Sequence, residues 1–508
     1  PPFGGWCLAS PETGYALDTL YGITCGDWMD DNLPLKYTFS YSPGSGFLES
    51  LVYVGGNSFS PNVTFPTGRE ENNTLIFVVL VTDALDASTL VQLKVQVNPT
   101  NPDAFKSQVD GLTLANGTLG TLLSSGDTQR AFQMISAVGN MLNFESEKDR
   151  TRESIVNGTA TSPNGTSDWN TEDKKQEAKN ENTKLRTGLI NIISTATVET
   201  LDDALRTSSV LGTVTKETGE ISAEAQDTAT STLETIGDVL KNAAEKPGTH
   251  PRIVAKTAEA VLSGLGNVIH AAFYVEEPAV VQQPKINETE SESTDIEKGN
   301  NKTLQEKQRK RELGNKLMST VRKIAKAVTT NKALGEQPTR IDTPHLSLEV
   351  CRYSASELDL KVLKAGAGSF ALPRMGDLLN DSGIVDIATV ATPTNPFEDE
   401  GNRIQSVVMT TSLRNASGGI SVSNLTDPID IRLPRDSKPA PSYPLYQATA
   451  GKMIFHKLEV KNNDSSISVD LHLVGNCSER ANFSLFLQKN RKPSLHENMF
   501  NITLPDPK

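Results

Sequence analysis

The spacing of apolar residues changes twice along the chain, and these changes constrain the fold more than any single motif. Residues 1–98 alternate apolar and polar side chains, as in "LKYTFSY" (35–41) and "VQLKVQV" (91–97), and "TLIFVVLV" (74–81) is a continuous apolar run. Alternation places every second side chain on one face of a strand. Turns rich in Pro, Gly and Asn separate these segments. An N-terminal all-β sandwich of fibronectin III or immunoglobulin type is therefore predicted.

Over residues 99–340 the apolar residues recur at intervals of three and four, which is the spacing of one face of a helix. Two such faces comprise Ala225, Ala229, Leu233, Ile236, Leu240 and Ala243, and Val254, Ala258, Val261, Leu265, Val268 and Ala272. A third helix carries Leu313, Leu317, Ile324 and Val328. A central α-helical region is predicted for this part of the chain.

Two polar stretches interrupt the helical pattern, at 145–182 and 276–303. Their low hydrophobicity and their glycosylation sequons predict exposed, mobile loops. The basic run "KQRKRE" (307–312) follows the second stretch. It fits the solvated face of a helix, with a cleavage site for a processing protease as the alternative.

Alternation returns beyond residue 340, in short segments such as "HLSLEV" (345–350) and "FSLFLQ" (483–488). Residues 341–508 are therefore predicted to form a second β-rich region, a C-terminal β-sandwich. A chain of 508 residues is too long for a single hydrophobic core. Taken together, the three regions predict a multidomain α+β protein.

The cysteines and the sequons indicate the compartment. Four Cys occur without any CxxC spacing, and Asn-x-Ser/Thr sequons recur more often than chance placement of these residues gives. Such a density indicates a secreted chain that meets the glycosylation machinery. The predicted glycosylation sites are Asn62, Asn72, Asn116, Asn157, Asn164, Asn287, Asn301, Asn380, Asn415, Asn424, Asn463, Asn476, Asn482 and Asn501. Occupancy is expected to concentrate on the sites in the polar stretches, Asn157, Asn164, Asn287 and Asn301.

The segment 7–41 carries two cysteines, and it could hold a metal site, a reactive thiol pair or a structural disulfide. In an oxidising compartment a bond between Cys7 and Cys25 would close a loop of roughly 20 residues and stabilise the fold by about 3 kcal/mol. The disulfide is therefore favoured over the metal site, and Trp28 is placed to cover it. By the same reasoning Cys351 is predicted to pair with Cys477.

Three carboxylates follow the second cysteine of this segment. Asp27, Asp30 and Asp31 suit the turn that leads into the next strand. Clustered carboxylate oxygens are also ligands for calcium, so a calcium site is the alternative.

Several function classes lack support in the residues. The net charge of −13 and the pI near 5.1 argue against a nucleic-acid partner. The six His are scattered, and the sequence has no HExxH, G-x-S-x-G or phosphate-binding loop. Neither a catalytic residue nor a cofactor is predicted, and a hydrolase whose triad is assembled only by the fold is the remaining enzymatic alternative. Because the chain opens without a secretory signal and lacks an apolar run of about 20 residues, it is interpreted as an ectodomain fragment.

The order of residues near the N-terminus resembles that of a known family. Cys7, Pro11, Gly14, Thr19, Cys25, Trp28, Asp30, Tyr37 and Phe39 resemble the end of the receptor-for-egg-jelly (REJ) module of polycystin-1-like proteins. The following "NPTNP" (98–102), "IFHKLEV" (454–460) and "LQKNRKPSLHENMFNITLP" (487–505) look like the region between that module and the autoproteolysis (GPS) site of the family. The resemblance thus divides the chain into a REJ-type sandwich (1–98) and the two parts of a GPS autoproteolysis-inducing (GAIN) domain. These parts are a helical GAIN-like subdomain (99–340) and a β-rich GAIN-like subdomain (341–508) that lacks the GPS.

This resemblance implies a function. The chain would be a non-enzymatic extracellular receptor or adhesion region of a multi-pass membrane protein, on the outer side of the plasma or ciliary membrane. An extracellular protein or glycan is the implied ligand. The rest of the protein would belong to a calcium-permeable channel or receptor complex with a polycystin-2-like subunit. The alternative is a free secreted adhesion glycoprotein.

The cleavage motif of the family, His-Leu-Ser/Thr preceded by Cys-x-Cys, is matched only in part. His345, Leu346 and Ser347 form a His-Leu-Ser triplet without the cysteines, at the start of the second β region. Alternation there predicts a strand, with Leu346, Leu348 and Val350 facing inward and no tight turn. We therefore expect that the fragment does not cleave itself.

Overall fold

The computed structural model divides the chain into two compact units, 1–436 and 437–508. It describes residues 1–42, 50–100, 109, 111–112, 117–159, 169–274, 294–330, 332–375, 383–397, 406–423, 425, 427–433, 483–487 and 500–504. Strands, then helices, then strands follow one another along the first unit, so the prediction of a mixed α+β fold is confirmed.

Two sheets form the N-terminal region. The strands are β1 (Trp6–Ser10), β2 (Thr13–Tyr15), β3 (Tyr21–Gly26), β4 (Lys36–Ser42), β5 (Ser50–Gly55), β6 (Phe59–Val63), β7 (Thr74–Thr82) and β8 (Ser88–Asn98). One sheet has the order β1-β3-β6 and the other β2-β8-β7-β4-β5. All neighbours are antiparallel except β2 and β8. The predicted fibronectin or immunoglobulin type stays a prediction.

Aromatic side chains fill the space between the two sheets. The Phe65 ring lies 5.0 Å from Tyr21 on β3, 5.4 Å from Tyr41 on β4 and 5.7 Å from Phe77 on β7, measured between ring centroids. The inward face predicted for β4 is confirmed, because Tyr37, Phe39 and Tyr41 are buried. Burial raises the pKa of the Tyr21 phenol to about 12, and its hydroxyl donates to the Gln96 carbonyl at 3.2 Å.

Helices follow the strands. Their bounds are α1 (Thr118–Ser124), α2 (Thr128–Thr159), α3 (Trp169–Ser194), α4 (Leu201–Val214), α5 (Ala223–Ala244), α6 (Pro251–Phe273) and α7 (Thr294–Thr330). The apolar faces predicted for α5, α6 and α7 are confirmed as buried, except that Ala244 rather than Ala243 closes the face of α5. Side chains of Thr200 and Ser222 accept hydrogen bonds from the first turns of α4 and α5, which explains where these helices begin. Among the described helices, none is both long and apolar enough to cross a membrane.

The loops predicted at 145–182 and 276–303 are in large part wrong. Residues 145–159 continue α2, residues 169–182 begin α3, and residues 294–303 begin α7. The rest of both stretches lies outside the described residues. The stretches are rich in Glu, Lys, Gln and Arg, which favour helices although they are polar. Low hydrophobicity alone is therefore a poor indicator of a loop, because polar residues of these types also form helices.

Strands return in the remainder of the chain. They are β9 (Thr339–Asp342), β10 (Ser347–Ser354), β11 (Val362–Ala365), β12 (Gly368–Ala371), β13 (Ile384–Thr392), β14 (Val408–Asn415), β15 (Gly418–Ile420), β16 (Asp430–Arg432), β17 (Phe483–Leu487) and β18 (Phe500–Leu504). Within the first unit they form a sheet of order β15-β14-β13-β10-β9 and a sheet of order β11-β12-β16. In the second unit β17 and β18 form an antiparallel pair. A C-terminal sandwich stays a prediction.

One hydrophobic core runs through the first unit. It begins with Cys7, includes buried residues of the two N-terminal sheets and the buried helix faces, and continues to Leu348, Val350 and Val390. A separate cluster, which includes Cys351 and Tyr353, lies on the other side of β10, as the alternation of a strand requires.

A buried ionic group ties the helices together. The Arg186 side chain of α3 is fully buried, and its Nε donates to Glu220 at 2.8 Å. Its Nη1 donates to the Asn143 side chain of α2 at 2.9 Å and to the Val214 carbonyl of α4 at 2.8 Å. The Glu220 carboxylate also accepts from Ser146 at 2.8 Å. The group therefore joins two helices, the end of a third and the turn before α5.

We expect Glu220→Ala to lower the free energy of unfolding by about 3–5 kcal/mol, because it leaves the Arg186 charge buried without its carboxylate. Glu224→Ala is the matched control, since Glu224 accepts from Asn191 at the surface and its loss should cost about 1 kcal/mol or less. Urea unfolding of both variants measures the difference. Equal midpoints would show that the buried pair contributes nothing to stability.

Candidate functional sites

The two N-terminal cysteines are bonded in the structure. Cys7 on β1 and Cys25 on β3 are directly opposite in the antiparallel register, with Cα atoms 4.0 Å apart. Both are buried in the shared core. The bond thus joins neighbouring strands of the same sheet, which is the structural role that the spacing predicts.

Trp28, which the sequence placed over the disulfide, packs on Gly5. A Cβ atom on Gly5 would come within 2.3 Å of the indole ring, so a larger residue at this position would displace the ring. The indole is half-buried at the edge of the core. Trp28 and Gly5 therefore pack the segment that follows β3 against the segment that precedes β1.

The three candidate calcium ligands have different surroundings. Asp27 accepts a hydrogen bond from the Trp6 indole at 2.8 Å, and Asp30 accepts from the Asn32 backbone at 2.8 Å, as in an Asx turn. Asp31 is exposed. Across the described ranges, no group of three or more His, Cys, Asp or Glu side chains is placed to hold a metal ion.

Cys351 is a buried thiol on β10 in the structure, and Cys477 lies outside the described residues. Burial raises the pKa of the Cys351 thiol to about 12, with the nearby Glu349 carboxylate adding to the rise. Such a thiol is protonated and unreactive at neutral pH. Its predicted bond with Cys477 stays a prediction.

The sequons fall into three groups. Asn62 and Asn72 are exposed, and Asn415 is half-buried with its side chain accepting from the Ser417 backbone at 3.0 Å. Asn157, Asn301 and Asn501 lie on α2, α7 and β18, so the prediction that Asn157 and Asn301 lie in loops is wrong. The sites outside the described residues are Asn116, Asn164, Asn287, Asn380, Asn424, Asn463, Asn476 and Asn482. Occupancy stays a prediction at every site.

The His-Leu-Ser triplet spans a turn and the start of a strand: His345 and Leu346 lie in a turn that was not predicted, and Ser347 begins β10, as the alternation predicts. The Thr343 amide donates to the Leu346 carbonyl at 2.9 Å, and the Leu346 amide donates to the Thr343 hydroxyl at 3.1 Å. This turn connects β9 to β10, where Ser347 pairs with Asp342. The predicted inward positions of Leu346, Leu348 and Val350 are confirmed. That the fragment does not cleave itself stays a prediction.

The histidine of this turn belongs to a stack of rings. The His345 ring lies 4.2 Å from the His270 ring on α6, which lies 4.4 Å from Tyr274. His270 Nδ1 shares a hydrogen bond of 2.9 Å with the Thr218 hydroxyl. Burial lowers the pKa of His345 to about 4, with the charge of His270 adding to the effect, and burial also lowers the pKa of His270. Both rings are therefore neutral at neutral pH.

Polar contacts between the sandwich and the helices were not predicted. Gln133 on α2 donates to the Val52 carbonyl at 3.0 Å, and Asn140 donates to the Tyr41 hydroxyl at 2.9 Å. Arg69 donates to Glu147 at 2.7 Å. One feature of the sequence indicates these contacts. Gln133 and Asn140 are seven residues apart, so they share a helix face that is otherwise apolar.

A second set of contacts joins the β7–β8 turn to α6. The Asp86 side chain pairs with His250, and its backbone carbonyl accepts from Arg252 at 3.0 Å. Lys36 lies 3.5 Å from Asp202 at the start of α4. The sandwich therefore meets the helices at several separate points.

Residues 1–137 match the family model of the REJ domain. The chain carries a REJ domain. The match extends past β8 into α2, so the contact from Gln133 to Val52 lies within the REJ domain. The contacts of Tyr41 and Arg69 lead from the REJ domain to residues beyond it.

A curated relative supports the same family. The "Polycystin family receptor for egg jelly" of Mus musculus is 31% identical over 193 residues, which cover 33% of this chain. The match spans only 9% of that relative. The resemblance of the REJ domain and its surroundings to the REJ and polycystin family is confirmed.

Replacing Cys7 and Cys25 together by Ala should lower the free energy of unfolding by about 3 kcal/mol, because the unfolded chain loses a closed loop. Urea unfolding of the oxidised and reduced wild type and of the variant measures this. The reduced wild type should match the variant. Non-reducing peptide mapping provides the direct check: free Cys7 and Cys25 thiols in secreted protein would contradict the assignment, and the same digest tests Cys351 and Cys477.

Stability should decrease as the pH falls from about 6.5, the ordinary pKa of a histidine, towards about 4, the pKa of His345 in the folded chain. The unfolded chain binds the proton first, so the stability that neutral His345 supports is complete above pH 6.5 and is lost as the pH falls through 4. His345→Gln should reduce the difference in Tm between pH 7 and pH 4.5. An unchanged difference would exclude His345 as a source of the pH dependence.

Proposed function

We propose that this chain is a non-enzymatic receptor or adhesion region of a polycystin-1-like, multi-pass membrane protein and lies outside the cell. The REJ domain and the mouse relative support a polycystin-type extracellular region. The disulfide suits an oxidising compartment. The sequons are consistent with the same placement.

The observation that carries the proposal is the continuity of the core from the REJ domain into the helices and the β9–β10 hairpin. Packed interiors deform little, so a load or ligand on the REJ strands would displace the helices with them. Hydrogen bonds from Gln133 and Asn140 reinforce this connection at buried and half-buried positions. Such a segment suits the transfer of a binding event towards a membrane.

The helices and the second β region would correspond to the two parts of a GAIN-like domain. The ligand would be an extracellular protein or glycan. The remainder of the protein would associate with a polycystin-2-like subunit in a calcium-permeable channel or receptor complex. No cofactor is part of this proposal.

The test uses the full-length transcript, expressed with an epitope inserted between Pro247 and Gly248. This turn is exposed, and a Cβ on Gly248 would meet no atom within 4 Å, so the insertion should leave the fold intact. We expect antibody labelling of intact cells, retention in the membrane fraction after alkaline extraction, and a smaller apparent mass after endoglycosidase treatment.

Labelling that needs permeabilised cells, together with an unchanged mass after endoglycosidase, would overturn the extracellular placement. Recovery of the full-length product from the medium, free of membrane, would instead identify the secreted adhesion glycoprotein. Cells that express the untagged protein control for antibody background.

A further inference from the structure

The outer face of the β1-β3-β6 sheet exposes large apolar side chains. Leu8, Thr24 and Phe59 are cross-strand neighbours in one row, and Trp6 lies opposite Gly26 in the next row. The exposed fractions of Leu8 and Phe59 are 62% and 55%. Their strand neighbours Cys7, Cys25 and Ser60 face the core. Leu8 and Phe59 thus flank Thr24 on this face, and neighbouring exposed apolar side chains are the features from which interaction sites are built.

Asn62 reaches the same face from β6. The register of β3 and β6 shifts between Tyr21 and Ile23, so β6 contains an extra residue at this point, as in a β-bulge. The Asn62 Oδ1 atom lies 3.8 Å from the position of a Cβ on Gly22. Gly22 precedes Thr24 by two residues, which places Asn62 about 7 Å along the strand from the row of Leu8 and Phe59. Asn62 is exposed and begins the sequon Asn62-Val63-Thr64.

The third residue of this sequon has no role that the fold explains. Thr64 is buried, and among the described residues its Oγ1 has no hydrogen-bond partner. Burying an unpaired hydroxyl is unfavourable, and Val has nearly the same shape without it. By contrast, Thr74 of the neighbouring sequon donates to the Glu71 carbonyl at 2.8 Å. A sequon requires Thr or Ser at this position, and Thr64 meets that requirement.

We propose that an N-linked glycan on Asn62 folds back over the outer face of this sheet and covers Leu8 and Phe59. The apolar C–H face of a sugar ring fits the exposed face of Phe59. Its hydroxyl groups remain towards water, so the apolar row is covered by a solvated group. The inference rests on the proposed extracellular placement of the chain.

The sugar is supplied by the donor of the secretory pathway, a lipid-pyrophosphate oligosaccharide. The Asn62 side-chain nitrogen forms a bond to the anomeric carbon of the first sugar. The bond from that carbon to the lipid pyrophosphate breaks, and the amide gives up one proton.

Repulsion between like charges makes a second copy of the chain less suited than the glycan to cover this face. Residues 1–35 contain Glu12, Asp18, Asp27, Asp30 and Asp31 and no Lys, Arg or His. Two such segments would oppose like charges, whereas core sugars are neutral. A glycan that leaves from the same face also blocks the approach of another protein.

The test compares the full chain, secreted from mammalian cells, with three variants. Asn62→Gln and Thr64→Val remove the sequon, and Thr64→Ser keeps it. Peptide mass spectrometry measures occupancy, and hydroxyl-radical footprinting measures the exposure of individual side chains. We expect oxidation of Phe59 to rise about two-fold in Asn62→Gln and Thr64→Val, since a sugar ring covers one of two ring faces. Thr64→Ser should resemble the wild type.

Asn72→Asp is the matched control, because it removes the other exposed sandwich sequon and Asp tolerates the left-handed backbone at this position (φ 58°). It should leave Phe59 protected.

Thr64→Val also reports on the buried hydroxyl, and its Tm in the Asn62→Gln background should equal or exceed that of Asn62→Gln alone.

Three results would overturn the inference. Occupied Asn62 with equal Phe59 oxidation in wild type and Asn62→Gln would show that the glycan points away from the sheet. Empty Asn62 beside occupied sequons elsewhere would remove the glycan but keep the extracellular placement. Empty sequons throughout the chain would contradict the extracellular placement as well, so the two proposals fail in distinguishable ways.

Discussion

The buried charge of Arg186 is the constraint on which the helical region depends. Its guanidinium bonds to Glu220, Asn143 and the Val214 carbonyl, which lie on three segments other than the helix of Arg186. Burying a cation without these acceptors costs free energy, so each segment contributes its full stabilisation only when the others are in place. The helix that supplies Asn143 also donates to the N-terminal strands through Gln133 and Asn140. The Arg186 group and the contacts to those strands therefore share α2.

The parts of the fold that sequence reasoning predicted are those where burial has a clear period. The faces of β4, α5, α6 and α7 follow from spacing alone. The polar ends of α2, α3 and α7 form helices where loops are predicted, because their Glu, Lys, Gln and Arg residues favour helices although they are polar. The turn before Ser347 was not predicted, because the apolar and polar residues of "HLSLEV" alternate through it. The hydroxyl of Thr343, two residues before His345, stabilises this turn by hydrogen bonds with the Leu346 backbone.

The candidate sites divide in the same way. Spacing within one segment was enough to propose the bond between Cys7 and Cys25, whose strands are adjacent. The contact of Asn140 with Tyr41 joins residues 99 apart, and a sequence pattern gives the face of such a residue but not its partner. The His270–His345 stack is also a tertiary contact, made by a helix and a hairpin turn. Long-range pairs of this kind need the three-dimensional arrangement before they can be named.

The shared core has a consequence for biosynthesis. At about 5–20 residues per second, the interval between translation of residue 98 and residue 390 is roughly 15 to 60 s. All strands of the sandwich exist throughout this interval, while Val390, the last member of their core, has yet to appear. Nascent strands that the helices do not yet cover expose apolar surface, which favours aggregation. The order of synthesis thus prolongs the time for which the N-terminal strands lack part of their core.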